Sequence, residues 1–513
     1  MHQIGKGAVL FLLLLSVAGT AAAVTSYDIV LDKESADINV TVELYPENPD
    51  RTTQLTSSWQ MPDGTVIMNV TDSDGPLEYE VDGSQVTFET TITPGEGKEV
   101  VEIDGSLDRA VSEEYRGLDL YKFQLSGFRD RKPDVPDEVT QVQLTAERPL
   151  LSESHSFGFD TSLGEREVNY SGEGPVNLHL AVSDEGEWYE NFVLFGPGNL
   201  STADDLYWVP AAVTGFLPQV NRFPVVVYPD EEYDVEVDEW SAGQYRKGGI
   251  TFVRKSELEK EGGAGLILHE VMHGFNEEAL AWTSATRSWF DEGTASYIQW
   301  LVNEERGVRQ AEIFGGEVTW REGRSRYTLQ PRMEPQDLWD YYSGDRNFME
   351  DWKLTENPER KTFGYAYSEL LIRDFVRREG PSSLRPVYGR LLEMDRNVEE
   401  EVSSISESND MLLEALETDF RPCYSSSKGE MESCLEQVND MDSEVPELGE
   451  LQNRTEKVEI EKVEEPVADS TRGELVLGGG NFSRTVEKGV LNSLRGYIES
   501  IRNWFISLFR SGQ

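Results

Sequence analysis

The chain has 513 residues, with 96 Asp and Glu against 46 Lys and Arg, and a net charge of −50 at pH 7. Such an excess of negative charge excludes nucleic acid as a partner of the body of the protein. The length leaves room for two or three domains with real cores. The acids run through every segment, which suits a protein kept soluble at high salt, where screening weakens self-repulsion. A halophilic source is the preferred explanation, with a calcium-loaded or basic-substrate-binding surface as its rival.

Residues 1–23 start with His2 and Lys6, continue in an apolar run from Ala8 to Ala18, and end in Ala21-Ala22-Ala23. This reads as a secretory signal, with a retained anchor as the alternative, and places the protein outside the cell, at or near its surface. Six Asn-x-Ser/Thr triplets, at Asn39, Asn69, Asn169, Asn199, Asn453 and Asn481, are compatible with an exported glycoprotein. From 24 to 187 short alternating runs such as Ile38–Leu44 and Val86–Ile92 are separated by turn clusters such as Asp72-Ser73-Asp74-Gly75. Period-two alternation between turns predicts an antiparallel β-sandwich. His155 and His179 fall in it without a ligand cluster around them and read as structural or surface residues.

A second domain is expected over 188–423. Phe223-Pro224-Val225-Val226-Val227-Tyr228 is a continuous β-branched run, hence a buried strand, and Gly248–Val253 reads as another. Glu261-Gly262-Gly263-Ala264 then opens a helix that carries Leu268-His269-Glu270-Val271-Met272-His273. Residues four apart on a helix share a face, so His269 and His273 can converge on one ion. Glu270 lies about 100° round the helix from His269, poorly placed to ligate but able to act as a base. After a gap of eighteen residues, Trp289-Phe290-Asp291-Glu292-Gly293 supplies Glu292 from a second stretch of helical apolar spacing. Two imidazoles and a carboxylate leave a four-coordinate Zn2+ one open position, the arrangement of a catalytic site. A chance His pair on a helix is the plain alternative, and so is a metal-free relic of such a site.

These residues, with the Trp289-x-x-Glu292-Gly293-x-Ala295-x-Tyr297 surround, resemble the gluzincin metallopeptidases of the aminopeptidase-N and leukotriene-hydrolase type. The resemblance covers about residues 240–300. It implies an α+β multidomain chain in which the β-sandwich precedes a thermolysin-like, mainly helical zinc-peptidase domain. It further implies Zn2+ on His269, His273 and Glu292, with Glu270 as general base and a peptide or protein as substrate. The family's Gly-x-Met-Glu-Asn motif, which holds a substrate's amino terminus, corresponds here to Ala242-Gly243-Gln244-Tyr245-Arg246. Tyr245 replaces the anchoring Glu and Arg246 the Asn, which favours an endopeptidase over an aminopeptidase. The family also uses a downstream Tyr for the oxyanion. Alignment on Gly364 puts Lys361 at that place, leaving Tyr365, or else Tyr367, as the candidate. In thermolysin-like folds a strand before the zinc helix borders the cleft, and Gly248 and Gly249 allow either close approach of substrate or an ordinary turn.

Beyond Gly307 the sequence is largely helical to Phe420. Asp337–Lys353 reads as a candidate lid loop whose Trp339, Tyr341 and Tyr342 line pockets or fill core. Cys423 and Cys434 suggest a local disulfide and no metal role. Residues 424–483 read as an acidic, mostly disordered linker. Residues 484–510 repeat apolar side chains every three to four positions, among them Leu494, Ile498, Ile501, Trp504 and Phe505, with Arg495, Arg502 and Arg510 beside them. Such an amphipathic helix suits a membrane surface, or else another protein surface. The reading as a whole is an exported zinc metallopeptidase. Its rival is a catalytically silent adhesion protein that keeps the zinc-peptidase fold.

Overall fold

The computed structural model describes residues 23–439, apart from 46–49, 96–97, 126–138, 157, 238–240, 285–287, 309–317, 323–324, 330–332, 344–357, 399–400 and 418–420. The expected signal segment up to 22, most of the acidic linker and the 484–510 helix lie outside the described residues.

Residues 23–182 build an eight-stranded, a three-stranded and a four-stranded sheet. In the strand Ser35–Leu44 the side chains of Ala36, Ile38, Val40, Val42 and Leu44 are buried and their neighbours less so, as alternation demands. All three sheets contribute to one core, with Tyr27, Trp59, Phe88, Ile103, Leu144 and Leu178 among its members. The expected purely antiparallel sandwich is corrected in one pairing. Ala23–Leu31 lies between Ser35–Leu44, antiparallel, and Val139–Ala146, parallel, with Val24 opposite Val139. Alternation identifies the inward face of a strand but is silent on its distant partner and direction.

The next region is centred on a mixed five-stranded sheet in the order Glu187–Trp188, Phe192–Phe195, Phe223–Tyr228, Ile250–Arg254, Gly243–Arg246. Its middle pairs are parallel and Gly243–Arg246 closes one edge antiparallel, with Tyr245 opposite Thr251. Phe223–Tyr228 is apolar throughout because both of its faces are covered. Phe223, Val225 and Val227 point to the helices, and Val226 and Tyr228 to Leu118, Leu120 and Leu151 of the β region. The β region is fastened here by hydrogen bonds as well. The N–H groups of Asn221 and Arg222 donate to the Leu151 carbonyl at 3.0 and 2.9 Å, and the N–H of Gly248 donates to Ser154 Oγ at 3.0 Å.

The edge strand on this side of the sheet is Gly243–Arg246, whereas Ile250–Arg254 is paired on both sides. Gly248 and Gly249 form the hairpin turn between them, with φ of 89° and 76°, and a Cβ on Gly249 would sit 2.7 Å from Ser152 Cβ. The ordinary-turn reading holds: these glycines serve a left-handed turn pressed on the β region.

Thirteen of the seventeen residues of helix Gly263–Ala279 are buried. Helices Ser288–Glu305 and Pro358–Glu379 pack in turn beside it. Three expectations downstream are corrected. A hairpin of Val318–Glu322 and Ser325–Leu329 interrupts the helical stretch. Asp337–Ser343 of the expected lid loop falls in a helix, Pro335–Ser343, in which Leu338 is buried and Tyr341 packs on Phe363 and Tyr367; the rest of that expectation, 344–353, lies outside the described residues. Lys428–Asn439, taken as part of the linker, is a helix that buries Met431, Leu435 and Val438 at four- and three-residue spacing. The bond between Cys423 and Cys434 pins it, and Arg373 donates to the Val438 carbonyl at 2.7 Å.

Candidate active site

The helical spacing brings His269 and His273 to one face of Gly263–Ala279, with ring centroids 5.2 Å apart. Glu292 reaches them from Ser288–Glu305. Its Oε2 lies 3.4 Å from Nε2 of His269 and 3.7 Å from Nε2 of His273. One donor atom from each of the three side chains falls within 4.8 Å of the others. Their side chains are only 11%, 11% and 7% exposed. Glu292 Oε2 and His269 Nδ1 are buried without a hydrogen-bond partner. An unpaired buried carboxylate oxygen costs several kcal/mol. A dication facing two imidazole nitrogens and that oxygen would relieve the cost, so the residues present fit a metal, and nitrogen and oxygen donors of this kind suit Zn2+.

The orientation of His273 is fixed from behind. Its Nδ1–H donates to Asp291 Oδ1 at 2.7 Å, since a carboxylate can only accept. The Nδ2 of Asn276 donates to the same oxygen at 2.8 Å, and Tyr388 donates to Asn276 Oδ1 at 2.6 Å. Burial alone would lower the pKa of His273, but the carboxylates of Asp291 and then Glu292 outweigh it and hold the value up to about 10. Sequence reasoning did not single out Asp291 or Asn276. The available signal was the position of Asp291 directly before Glu292, at a helix start where a second acid can turn back to the facing helix.

Glu270 is buried beside the pair. Burial pushes its carboxyl above the usual range, against the pull of the two imidazoles; Glu292 adds to the rise and the backbone N–H of Tyr245 opposes it. The edge strand passes so close that a Cβ on Gly243 would lie 2.6 Å from Glu270 Oε1.

Tyr365, from Pro358–Glu379, donates to Glu292 Oε1 at 3.2 Å. Its phenol is pushed far up by burial and then by Glu292 and Glu270, so it stays protonated. Tyr367 is fully buried among Tyr341, Tyr342 and Phe363 and belongs to the core. Trp289 and Tyr297 are core as well; Trp289 Nε1 donates to Asn409 at 2.8 Å.

Tyr245 lies along the helix, 6.1 Å from the His273 ring, and donates to Glu277 Oε2 at 2.7 Å. Arg246, on the other face of the strand, stacks on Phe252 at 4.6 Å. His155 pairs with Glu153 at 3.0 Å, packs edge-on to Tyr170 and is not part of the His269, His273 and Glu292 group.

No family model and no curated protein matches the chain. Among solved structures it is similar to an M1 zinc metallopeptidase from Deinococcus radiodurans. The identity is 12% and the TM-score 0.34, over 82% of this chain and 95% of that one. It is also similar to leukotriene A4 hydrolase from Saccharomyces cerevisiae. There the identity is 12% and the TM-score 0.32, over 83% of this chain and 68% of that one.

Proposed function

We propose that the chain is a zinc-dependent peptidase of the gluzincin type with a thermolysin-like catalytic region, in which His269, His273 and Glu292 hold the ion. The supporting observation is the buried Glu292 Oε2, which has no hydrogen-bond partner and faces two imidazole nitrogens. When bound, Zn2+ would supply Lewis-acid polarisation of the scissile carbonyl and favour ionisation of the attacking water. The chain's own groups do the rest. Glu270, its affinity for protons raised by burial, takes a proton from the water and delivers it to the leaving amine. Tyr365, held protonated, donates to the oxygen on which negative charge develops. Asp291 keeps His273 Nε2 turned toward the site.

Endopeptidase action is the reading we favour, because Tyr245 stands where the family's amino-terminal anchor is an acid. Export, a halophilic source and membrane contact through 484–510 are parts of the same proposal and rest on sequence pattern. No helix among the described residues is long and apolar enough to cross a membrane.

The test is metal content together with hydrolysis of two quenched peptides at high salt, one with a free and one with a blocked amino terminus. We expect one zinc per chain and chelator-sensitive cleavage of both peptides. Cleavage of the free peptide alone would make it an aminopeptidase. Glu270→Gln should keep the metal and lose at least about 100-fold in rate, the usual contribution of a general base. Folded protein without stoichiometric zinc would overturn the reading, and zinc without peptide turnover would leave a silent site.

A further inference from the structure

Behind the edge strand, on the face opposite Glu270, lies a cavity. It has a volume of about 230 Å3 and is lined by Glu113, Tyr115, Leu120, Lys122, His179, Arg246, Lys247 and Ile250; a molecule of liquid water occupies about 30 Å3. The alternation of the strand builds it. Tyr245 points to the helix, so Arg246 points back toward the β region, where its Nη1 donates to the Tyr115 hydroxyl at 3.3 Å and its Nε to Gln244 at 2.9 Å. Neither partner is a carboxylate. Lys247 is exposed at the start of the hairpin turn and has no acidic partner among the described residues. The one acid of the lining, Glu113, is already engaged by Lys122 and by the Tyr115 hydroxyl.

The lining thus holds three cations against one carboxylate, in a chain whose acids outnumber its bases by two to one. The imidazole of His179 registers the same imbalance: burial and then Lys247 and Lys122 lower its pKa, and Glu113 alone opposes them. Like charges gathered around a cavity repel one another unless something of opposite sign sits between them. The cavity has the size for such a group. It also has donors for it, in the lysine ammonium groups and the guanidinium, and an apolar floor in Leu120 and Ile250.

We propose that this cavity is a binding site for a small oxyanion, a carboxylate or a phosphate, held by Arg246, Lys247 and Lys122 at the seam between the β region and the edge strand. The occupied site would tie the hairpin that borders the cleft to the β region. The proposal is independent of the peptidase reading, because its test reads binding and not turnover.

The experiment uses the full chain with histidines labelled at the ring carbon, and the His179 signal assigned by its loss in His179→Gln. Inorganic phosphate and acetate are titrated separately at constant ionic strength. A saturable shift of the His179 signal, with His155 unmoved, supports the site; the probe that saturates it names the chemistry, and both do so if the site takes any oxyanion. Lys247→Gln, at an exposed position that leaves folding intact, should weaken the binding by at least about fivefold. Lys428→Gln, on the C-terminal helix Lys428–Asn439, should leave it unchanged. No saturable shift with either probe, or equal affinity in Lys247→Gln and the parent, would overturn the proposal.

Discussion

The ring nitrogen that a histidine turns to a metal is oriented by whatever holds the other nitrogen, and for His273 that is Asp291. Asp291→Asn keeps the size but replaces a charged acceptor with an amide. We expect zinc affinity to fall by about 10- to 100-fold, measured by competition with a chromophoric chelator, while the fold survives. Equal affinity would remove Asp291 from the site. A second residue-scale prediction concerns Glu278, in the last turn of the same helix. Burial, with Glu153 and Asp395, raises its pKa to about 7, while the Gln219 N–H and His155 pull the other way. The folded state therefore keeps a proton that the unfolded chain releases near its ordinary value of 4.5. Between these values stability falls as pH rises, and above about 7 the cost of the half-buried charge is borne. Glu278→Gln has no such slope and still accepts from Gln219. Its stability relative to the parent should grow by on the order of 1 kcal/mol from pH 4.5 to 7 and then level off, in denaturant titrations. A flat difference across that range would show that the carboxyl is not perturbed. Legibility at this scale was uneven. The convergence of His269 and His273 with Glu292 could be read because helical spacing puts the two imidazoles on one face and apolar spacing puts Glu292 on a second helix. Asp291 and Asn276 act through the packing of one helix on another, which no local pattern encodes.

Among the elements, the four-residue strand Gly243–Arg246 has the largest consequences for its length. It lies against Glu270 on one face and against the cationic cavity on the other. Gly243→Ala would press a methyl to within 2.6 Å of Glu270 Oε1, so either the Glu270 carboxyl, the proposed base, or the strand must shift. Misplacement of a reacting group by about 1 Å costs on the order of 100-fold. We therefore expect kcat to drop by roughly that factor while zinc content stays at the parent's value. An unaltered kcat would mean that the strand can yield without moving the base. Which strand borders the cleft was not legible: Ile250–Arg254 reads as the better strand, and only the pairing order shows that it is flanked on both sides. The long helices were legible from their periodicity. The helix Lys428–Asn439 was hidden because nine of its twelve residues are not buried, and composition there resembles a linker more than a core element.

At the scale of the whole molecule, charge is the dominant fact. If every Lys and Arg were paired, the excess of 96 acids over 46 bases would still leave fifty unpaired carboxylates repelling one another. Their repulsion favours the expanded chain, and salt weakens it as the screening length drops from about 10 Å at 0.1 M to about 3 Å at 1 M. The ion pairs among the described residues are mostly exposed at one partner or both, as with Lys98 and Glu43 or Lys260 and Glu257, and such pairs contribute at most about 1 kcal/mol each. The unfolding temperature should therefore climb by on the order of 5 °C or more between 0.1 and 1 M sodium chloride, followed by calorimetry. Screening and preferential exclusion of salt from the surface predict different shapes. Screening is nearly complete once its length falls below the spacing of neighbouring carboxylates, so the rise should be steep at first, flatten toward 1 M, and be alike in chloride and nitrate. Exclusion would instead continue to higher concentration and depend on the anion. An unfolding temperature that does not move over this range would show that the surface charge is balanced in a way the fixed carboxylates alone do not reveal, and would remove the case for a protein built for high salt.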